Sequence, residues 1–185
     1  MQAAWAGHPD AIFVLAAATG CTAAFNAAHT IGITAAMYYV GACAAPTITT
    51  AVGNAATEGA YFNVEGPVKP DHPDPDVRLY NSVLAAFSPD LNPVGAATVS
   101  ARSVANLYRV MRQVGGDHLD AATLTAALRA ARGQPSFMGH EWSCDGKQLA
   151  GLPATCSPQQ ILVQIHDGKL SQVGDWIDVG SVYPG

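Results

Sequence analysis

The chain is 185 residues long, which accommodates one domain or two small ones. Apolar residues make up 49% of it and charged residues only 12%, so there is enough apolar surface to build a core and intrinsic disorder is excluded. The formal net charge of −5 comes without any basic cluster, which excludes a nucleic-acid footprint. No apolar run reaches the roughly 18 residues needed to span a bilayer. Residues 1–10 lack the charged and apolar regions of a secretory signal peptide.

Residues 11–18 form a continuous apolar run between Asp10 and Thr19-Gly20, the pattern of a strand buried on both faces in a parallel sheet. Phe25, Ala28 and His29 then fall at helical spacing, with Gly32 placed to stop the helix. Residues 37–40 read as a second strand ending at Gly41, which completes a strand–helix–strand unit. Residues 47–57 suit a modest helix, and the alternation over 59–65 suits a third strand. Pro67, Pro70, Pro73 and Pro75 exclude regular helix or central strand from residues 66–76, leaving a linker or a crossing between lobes. A helix over 76–87 places Val77, Tyr80, Val83, Leu84 and Phe87 on one face. A second helix, over 98–114, does the same with Val104, Leu107, Val110, Met111 and Val114 and stops at Gly115-Gly116. Asp120 is a good N-cap for a third over 121–131. The alternation of 160–166, the turn residues Asp167-Gly168 and the return over 169–177 predict a β-hairpin. The fold class is α/β.

Chemistry-bearing motifs are sparse. The cysteines are Cys21, Cys43, Cys144 and Cys156, and no CxxC spacing marks a redox site or a zinc ribbon. An even number fits two disulfides in an oxidising compartment. Cys144 and Cys156 enclose Asp145-Gly146 and Gly151-Leu152-Pro153, a turn-rich loop with the look of a stapled one. Cys21 and Cys43 follow the carboxyl ends of two neighbouring strands, the edge where ligands gather in α/β sheets. His29 is the only His, Lys or Arg between Thr19 and Thr47, so a disulfide or two inert buried thiols fits better than a catalytic cysteine. The helix start at Thr19-Gly20-Cys21 offers free backbone N–H groups to an anion, against ordinary capping by Thr19. The six histidines show no HxxxH spacing, and neither a nucleophile elbow nor a phosphate-binding loop is present. Glu58, Glu65, Asp71, Asp74 and Asp76 lack the spacing of a calcium loop and read as solvated charge. No metal or cofactor is expected.

Several phrases then line up in order: His8-Pro-Asp-Ala-Ile-Phe-Val-Leu, Cys21 with a helix ending at Ile31-Gly32, Val40-Gly41-Ala-Cys43, and Glu58-Gly-Ala-Tyr-Phe. Ser103-Val-Ala-Asn-Leu, the Cys144–Cys156 loop and the Asp167-Gly-Lys hairpin follow. Together they resemble the C-terminal half of ABC-transporter substrate-binding proteins of the branched-chain amino-acid type. The resemblance implies the type I periplasmic-binding fold, with parallel βα units from two lobes, three crossing strands and a C-terminal hairpin, the N-terminal half of the fold having no counterpart here. Residues 1–62 would be the end of the second lobe, 63–75 a Pro-rich hinge crossing, 76–158 the closing helices and stapled loop of the first lobe, and 159–185 the hairpin and last crossing.

The resemblance also implies a function without chemistry, in which a small-molecule ligand is held between the lobes and delivered to an ABC permease, outside the cytoplasm. Any membrane attachment would be through a lipid anchor that this chain does not carry. A ligand-sensing receptor of the same fold is the alternative, and an enzyme using Cys21 or Cys43 a third reading of lower weight. Both cysteine pairs, Cys144–Cys156 and Cys21–Cys43, are expected to be oxidised. Carried over residue by residue, Ala17, Ala18, Thr19, Ala42 and Cys43 would line one wall of the cleft and Val99 and Ser100 the other. Amino-acid-binding members have an aromatic residue after the first of these strands and an acidic one after the second, which pairs with the ligand's ammonium. Here those places hold Ala17 or Ala18 and Cys43, which implies a bulkier or less charged ligand. Without the first half of the fold the sheets would keep open apolar edges, so the isolated chain is expected to be marginally stable or aggregation-prone.

Overall fold

The computed structural model describes residues 1–67, 72–91, 93 and 96–182. A single helical turn, α1 (Gln2–Trp5), precedes β1 (Ala11–Val14), α2 (Thr19–Ile31) and β2 (Ala36–Val40). A tight helical turn over Gly41–Ala44 leads into α3 (Pro46–Val52), α4 (Asn54–Thr57) and β3 (Tyr61–Val64). The helices α5 (Pro75–Phe87), α6 (Ala96–Val114) and α7 (Ala121–Ala130) come next. The hairpin β4 (Gln159–His166) and β5 (Lys169–Asp178) and the turn α8 (Val179–Val182) close the described part.

The five strands form one sheet in the order β1-β2-β3-β4-β5. β1, β2 and β3 are parallel, with Phe13 opposite Tyr38 and Tyr38 opposite Tyr61. β4 runs antiparallel to β3 and pairs Tyr61 with Gln164, and β5 is antiparallel to β4. The expected strand–helix–strand unit is therefore present, and Gly32 ends α2 in the left-handed conformation at φ 70°. The hairpin turn also follows its residues, since Asp167 and Gly168 both take positive φ, 49° and 71°.

Five expectations are corrected. The apolar run 11–18 is a strand only over Ala11–Val14, and it alternates exposed and buried instead of being buried on both faces. The reason is that, among the described residues, helices pack on one side of β1 only. The helix expected over 47–57 is broken in two at Gly53, whose φ of 84° α-helix does not allow. The N-cap of α2 is Ala18 and not Thr19, and no side chain bonds the first turn. On α5 and α6, Val77, Tyr80 and Val110 are buried as the periodicity requires, but Val83, Phe87, Val104 and Leu107 are exposed. The expected linker at 66–76 ends sooner than read, because Pro75 and Asp76 already open α5, where a proline needs no N–H partner; residues 68–71 lie outside the described residues.

The largest core cluster joins Ile12 and Val14 of β1, Cys21 and Phe25 of α2, and Ile48 of α3. Tyr39, Phe62, Ile161, Val163 and Ile165 complete it from the strands. Phe25 stacks on Tyr39 at 4.1 Å between ring centroids, and burial pushes the Tyr39 phenol up to about 12. The helices have two smaller clusters, Val77–Tyr80–Phe137–Met138 and Val110–Ala131–Trp142. Residues 131–158 wrap α6 and α7 and are closed by the Cys144–Cys156 disulfide.

Candidate functional site at the carboxyl edge of the sheet

Parallel strands deliver their carboxyl ends to one edge, and the connections that follow β1, β2 and β3 lie side by side there. After Val14 the chain passes through Leu15 and the small residues Ala16, Ala17 and Ala18. Ala18 takes φ 44° and ψ −111°, which turns the backbone directly into α2. Gly20 N–H donates to Ala17 O at 2.9 Å and Cys21 N–H to Ala18 O at 3.1 Å. Ala17, Ala18 and Thr19 are exposed.

The second connection begins at Gly41, where any Cβ would stand 2.5 Å from Asn63 O. The ends of β2 and β3 therefore approach too closely for a side chain at this point. Ala42 is half-buried, and Cys43 is completely buried and bonded to Cys21, with 5.4 Å between the Cα atoms. Cys43 Sγ also lies 3.8 Å from Ala16 O, so this disulfide joins the first two connections into one rigid wall. Residues 15–19 and 41–45 contain no ionisable side chain, their one cysteine, Cys43, being bonded to Cys21. With both sulfurs in a disulfide, these first two connections have neither a nucleophilic thiol nor an acid.

The third connection carries the charge. Glu65 Oε2 lies 3.5 Å from Arg102 Nη1 on α6, and the Arg102 side chain is 11% exposed. Arg102 Nε donates to Phe137 O at 3.1 Å and Nη2 to Met138 O at 3.2 Å. Burial pulls the guanidinium below its usual pKa, and the adjacent Glu65 carboxylate works against that shift. Gly66 fits beneath this cluster because a Cβ there would meet Met138 O at 2.1 Å. Asn106, one turn further along α6, donates to Ser136 Oγ and accepts from Phe137 N–H at 2.8 Å. A cavity of about 360 Å³ opens beside these groups, with Glu65, Val99, Arg102, Leu107 and Trp142 among its walls.

The structure thus brings Ala17, Ala18, Thr19, Ala42 and Cys43 together at one edge. It places Val99 and Ser100 on the first turns of α6, both exposed, and Val99 lines the cavity beside the Glu65–Arg102 pair, which includes none of those five residues. Sequence reasoning missed the roles of Arg102 and Asn106, whose signal is only an arginine and an asparagine on a helix face otherwise rich in small and apolar residues. The acidic residues read as solvated charge have defined partners instead: Glu58 pairs with His166, Glu65 with Arg102, and Asp76 with Arg109. Asp74 caps α5, while Asp71 lies outside the described residues. Among the described residues no group of three or more His, Cys, Asp or Glu could hold a metal ion. No helix among them is long and apolar enough to cross a membrane.

No family model matches the sequence, and no curated protein is detectably similar to it. Solved structures are. A leucine-binding protein, LivK, from Thermotoga maritima superposes with a TM-score of 0.69 at 14% identity, over 96% of this chain and 47% of that one. A branched-chain amino-acid ABC transporter protein from Thermus thermophilus with bound valine gives 0.67 at 15%, over 94% and 48%. A solute-binding protein of R. palustris in complex with benzoate gives 0.63 at 18%, over 91% and 43%. The chain has the type I periplasmic-binding fold in part, and it spans about half the length of the solved structures it matches.

Proposed function

We propose that the chain is part of a solute-binding protein of an ABC-type uptake system, which holds a small organic ligand between two lobes, delivers it to a permease and performs no chemistry on it. The observation that supports this best is the superposition over nearly the whole chain on structures solved with bound valine and with benzoate. In this reading residues 1–62 end the second lobe, 63–75 cross between lobes, 76–158 belong to the first lobe and 159–185 return. Ala17, Ala18, Thr19 and Ala42 line the ligand wall, Cys43 shapes it from beneath, and Val99 and Ser100 face it from the other lobe. Two disulfides suit the oxidising, extracytoplasmic compartment in which such proteins work.

The ligand class follows from charge. An ammonium group closed into a cleft needs a carboxylate partner, and leaving it unpaired costs on the order of several kcal/mol. The wall formed by residues 16–19 and 41–45 offers only small apolar side chains, one threonine hydroxyl and the Cys43 half of a disulfide. The ligand is therefore bulkier or less charged than leucine or valine. Titration calorimetry of the protein purified from its source, with benzoate and with leucine, tests this. Binding of benzoate at least tenfold tighter than leucine is expected. Tight binding of leucine defeats the ligand class, and silence toward a broad panel of small organic solutes defeats the binding role.

A further inference from the structure

A second cavity, of about 360 Å³, opens at the amino ends of β2 and β3, the end of the strands away from Ala42 and Glu65. Its walls are the last turn of α2, the return into β2, α4 and the return into β3, all within residues 28–60. Tyr39 reaches it from the core side. Its ring stacks on Phe25 and the residue is only 3% exposed, yet it lines the cavity. The phenol has no hydrogen-bond partner among the described residues, and burial keeps it a neutral O–H up to about 12. Two partnerless side-chain atoms are sealed from solvent, Trp142 Nε1 and Gln159 Oε1, and the Tyr39 hydroxyl is not one of them. It is therefore open to the cavity. A buried phenol ordinarily has a partner, so this one calls for a partner from the molecule that fills the space.

The outer part of the cavity is rich in acceptors. Glu58, 46% exposed, lines it as a carboxylate that its hydrogen bonds with His166 and Asp167 keep ionised. Each oxygen has one of these partners, at 2.7 and 3.0 Å, and can accept another. Ala28, His29 and Gly32 lie at the carboxyl end of α2, the negative end of the helix dipole. Thr34 adds a hydroxyl, and neither lysine nor arginine lines the space. An anion is therefore repelled and a cation drawn to the mouth. Among the described residues no group of three or more His, Cys, Asp or Glu could hold a metal ion, so the cation that fits is organic. Depth decides the rest of the ligand. A second charge beside Tyr39 would lose its water and find no counter-ion, whereas a neutral hydroxyl can exchange a hydrogen bond with the phenol.

We propose that this cavity binds a small amino alcohol, with its ammonium on Glu58 at the mouth and its hydroxyl on the Tyr39 phenol inside. The short carbon chain between them packs on Ala28, Ala55 and Ala56, whose small side chains leave the space open. The volume lies near the lower end of small-molecule sites, about 300–1,000 Å³, which suits a ligand of this size. A plain alkylammonium leaves Tyr39 unpaired, and a diol leaves Glu58 without a cation, so each binds more weakly. The site uses none of the residues of the wall at the carboxyl edge, and it stands whether or not that wall binds benzoate.

Titration calorimetry of the protein purified from its source, with ethanolamine, propanolamine and butanolamine, tests this. Saturable binding of at least one of them is expected, about fivefold tighter than butylammonium or butanediol, and unchanged by saturating benzoate. Tyr39→Phe keeps the stacked ring and removes only the hydroxyl. It should weaken the amino alcohol about fivefold and leave butylammonium unchanged. Glu58→Gln removes the anion and should weaken both amines about tenfold or more. Because Glu58 also holds the β4–β5 turn, Tyr39→Phe is the decisive variant. No saturable binding of any of the three, butylammonium binding as tightly as they do, or unchanged affinity in Tyr39→Phe overturns the proposal. Displacement by benzoate would assign the amine to the other site and overturns it as well.

Discussion

Arg102 Nη1 lies 3.5 Å from Glu65 Oε2, and through this pair α6 is tied to the carboxyl end of β3. The guanidinium also holds the Phe137 and Met138 carbonyls, so one side chain joins three segments distant in sequence. Arg102→Met keeps the aliphatic stem but strands a carboxylate and two carbonyls. The expected loss is about 2–4 kcal/mol. Glu65→Gln leaves the guanidinium on its carbonyls, and because Glu65 is 35% exposed its loss is smaller, about 1 kcal/mol. Urea unfolding of the two variants checks the ranking, and equal losses would show that the carbonyl bonds contribute little.

Gly66→Ala probes the same junction from below. Its Cβ would sit 2.1 Å from Met138 O and 2.3 Å from Arg102 Nη2, and the carbonyl belongs to backbone that cannot swing aside. The substitution should cost about 1–3 kcal/mol as overpacking. Gly133→Ala makes a useful contrast. Its φ of 54° strains any side chain, but the nearest atoms belong to the Glu141 carboxylate, which can move. Thermal unfolding of both variants should show the deficit at Gly66 shrinking when combined with Arg102→Met, and the deficit at Gly133 unchanged by it.

Most of the sheet is legible in the residues because its signals are local. The alternation of Gln160–His166, the Asp167-Gly168 turn and the Gly32 stop each act within a few residues, and each appears where expected. Residues 11–18 are not decided locally, since whether an apolar strand is covered once or twice depends on which way the crossovers run. Arg102 was hidden for a similar reason. Its partners Glu65, Phe137 and Met138 are far away in sequence, and an arginine on a helix otherwise reads as a solvated face. Cys21 and Cys43 could be placed side by side because neighbouring parallel strands precede them, although that left two buried thiols as open as the disulfide that forms.

The two disulfides differ in surroundings more than in loop length, with sequence separations of 22 and 12. Loop-closure entropy alone assigns each about 3 kcal/mol. Cys21 and Cys43 are both fully buried in the main core, whereas Cys144 and Cys156 are half-buried beside α7. Replacing Cys21 and Cys43 together with serine should therefore cost more than the same change at Cys144 and Cys156, because it also buries hydroxyls among apolar side chains. Calorimetric unfolding of the two double variants measures the difference. A larger loss at Cys144 and Cys156 would mean that the loop, not the core, limits stability.

Glu58 holds the hairpin tip. Its Oε1 lies 2.7 Å from His166 Nδ1 and its Oε2 accepts the Asp167 N–H at 3.0 Å, linking the end of α4 to the β4–β5 turn. The hydrogen bond with His166, and then that from Asp167, lower the carboxyl below its ordinary 4.5. A depressed carboxylate stabilises the fold fully above its unfolded value, and that contribution is lost as pH falls through the lower folded value. The tip should therefore loosen only below about pH 4.5, well under the range in which histidine ordinarily titrates. Amide exchange at Asp167 and Gly168, followed from neutral pH downward and corrected for the intrinsic pH dependence, should accelerate in that acid window. In Glu58→Gln exchange should already be fast at neutral pH and show no step. A step of the same size in the variant would assign the transition to another group.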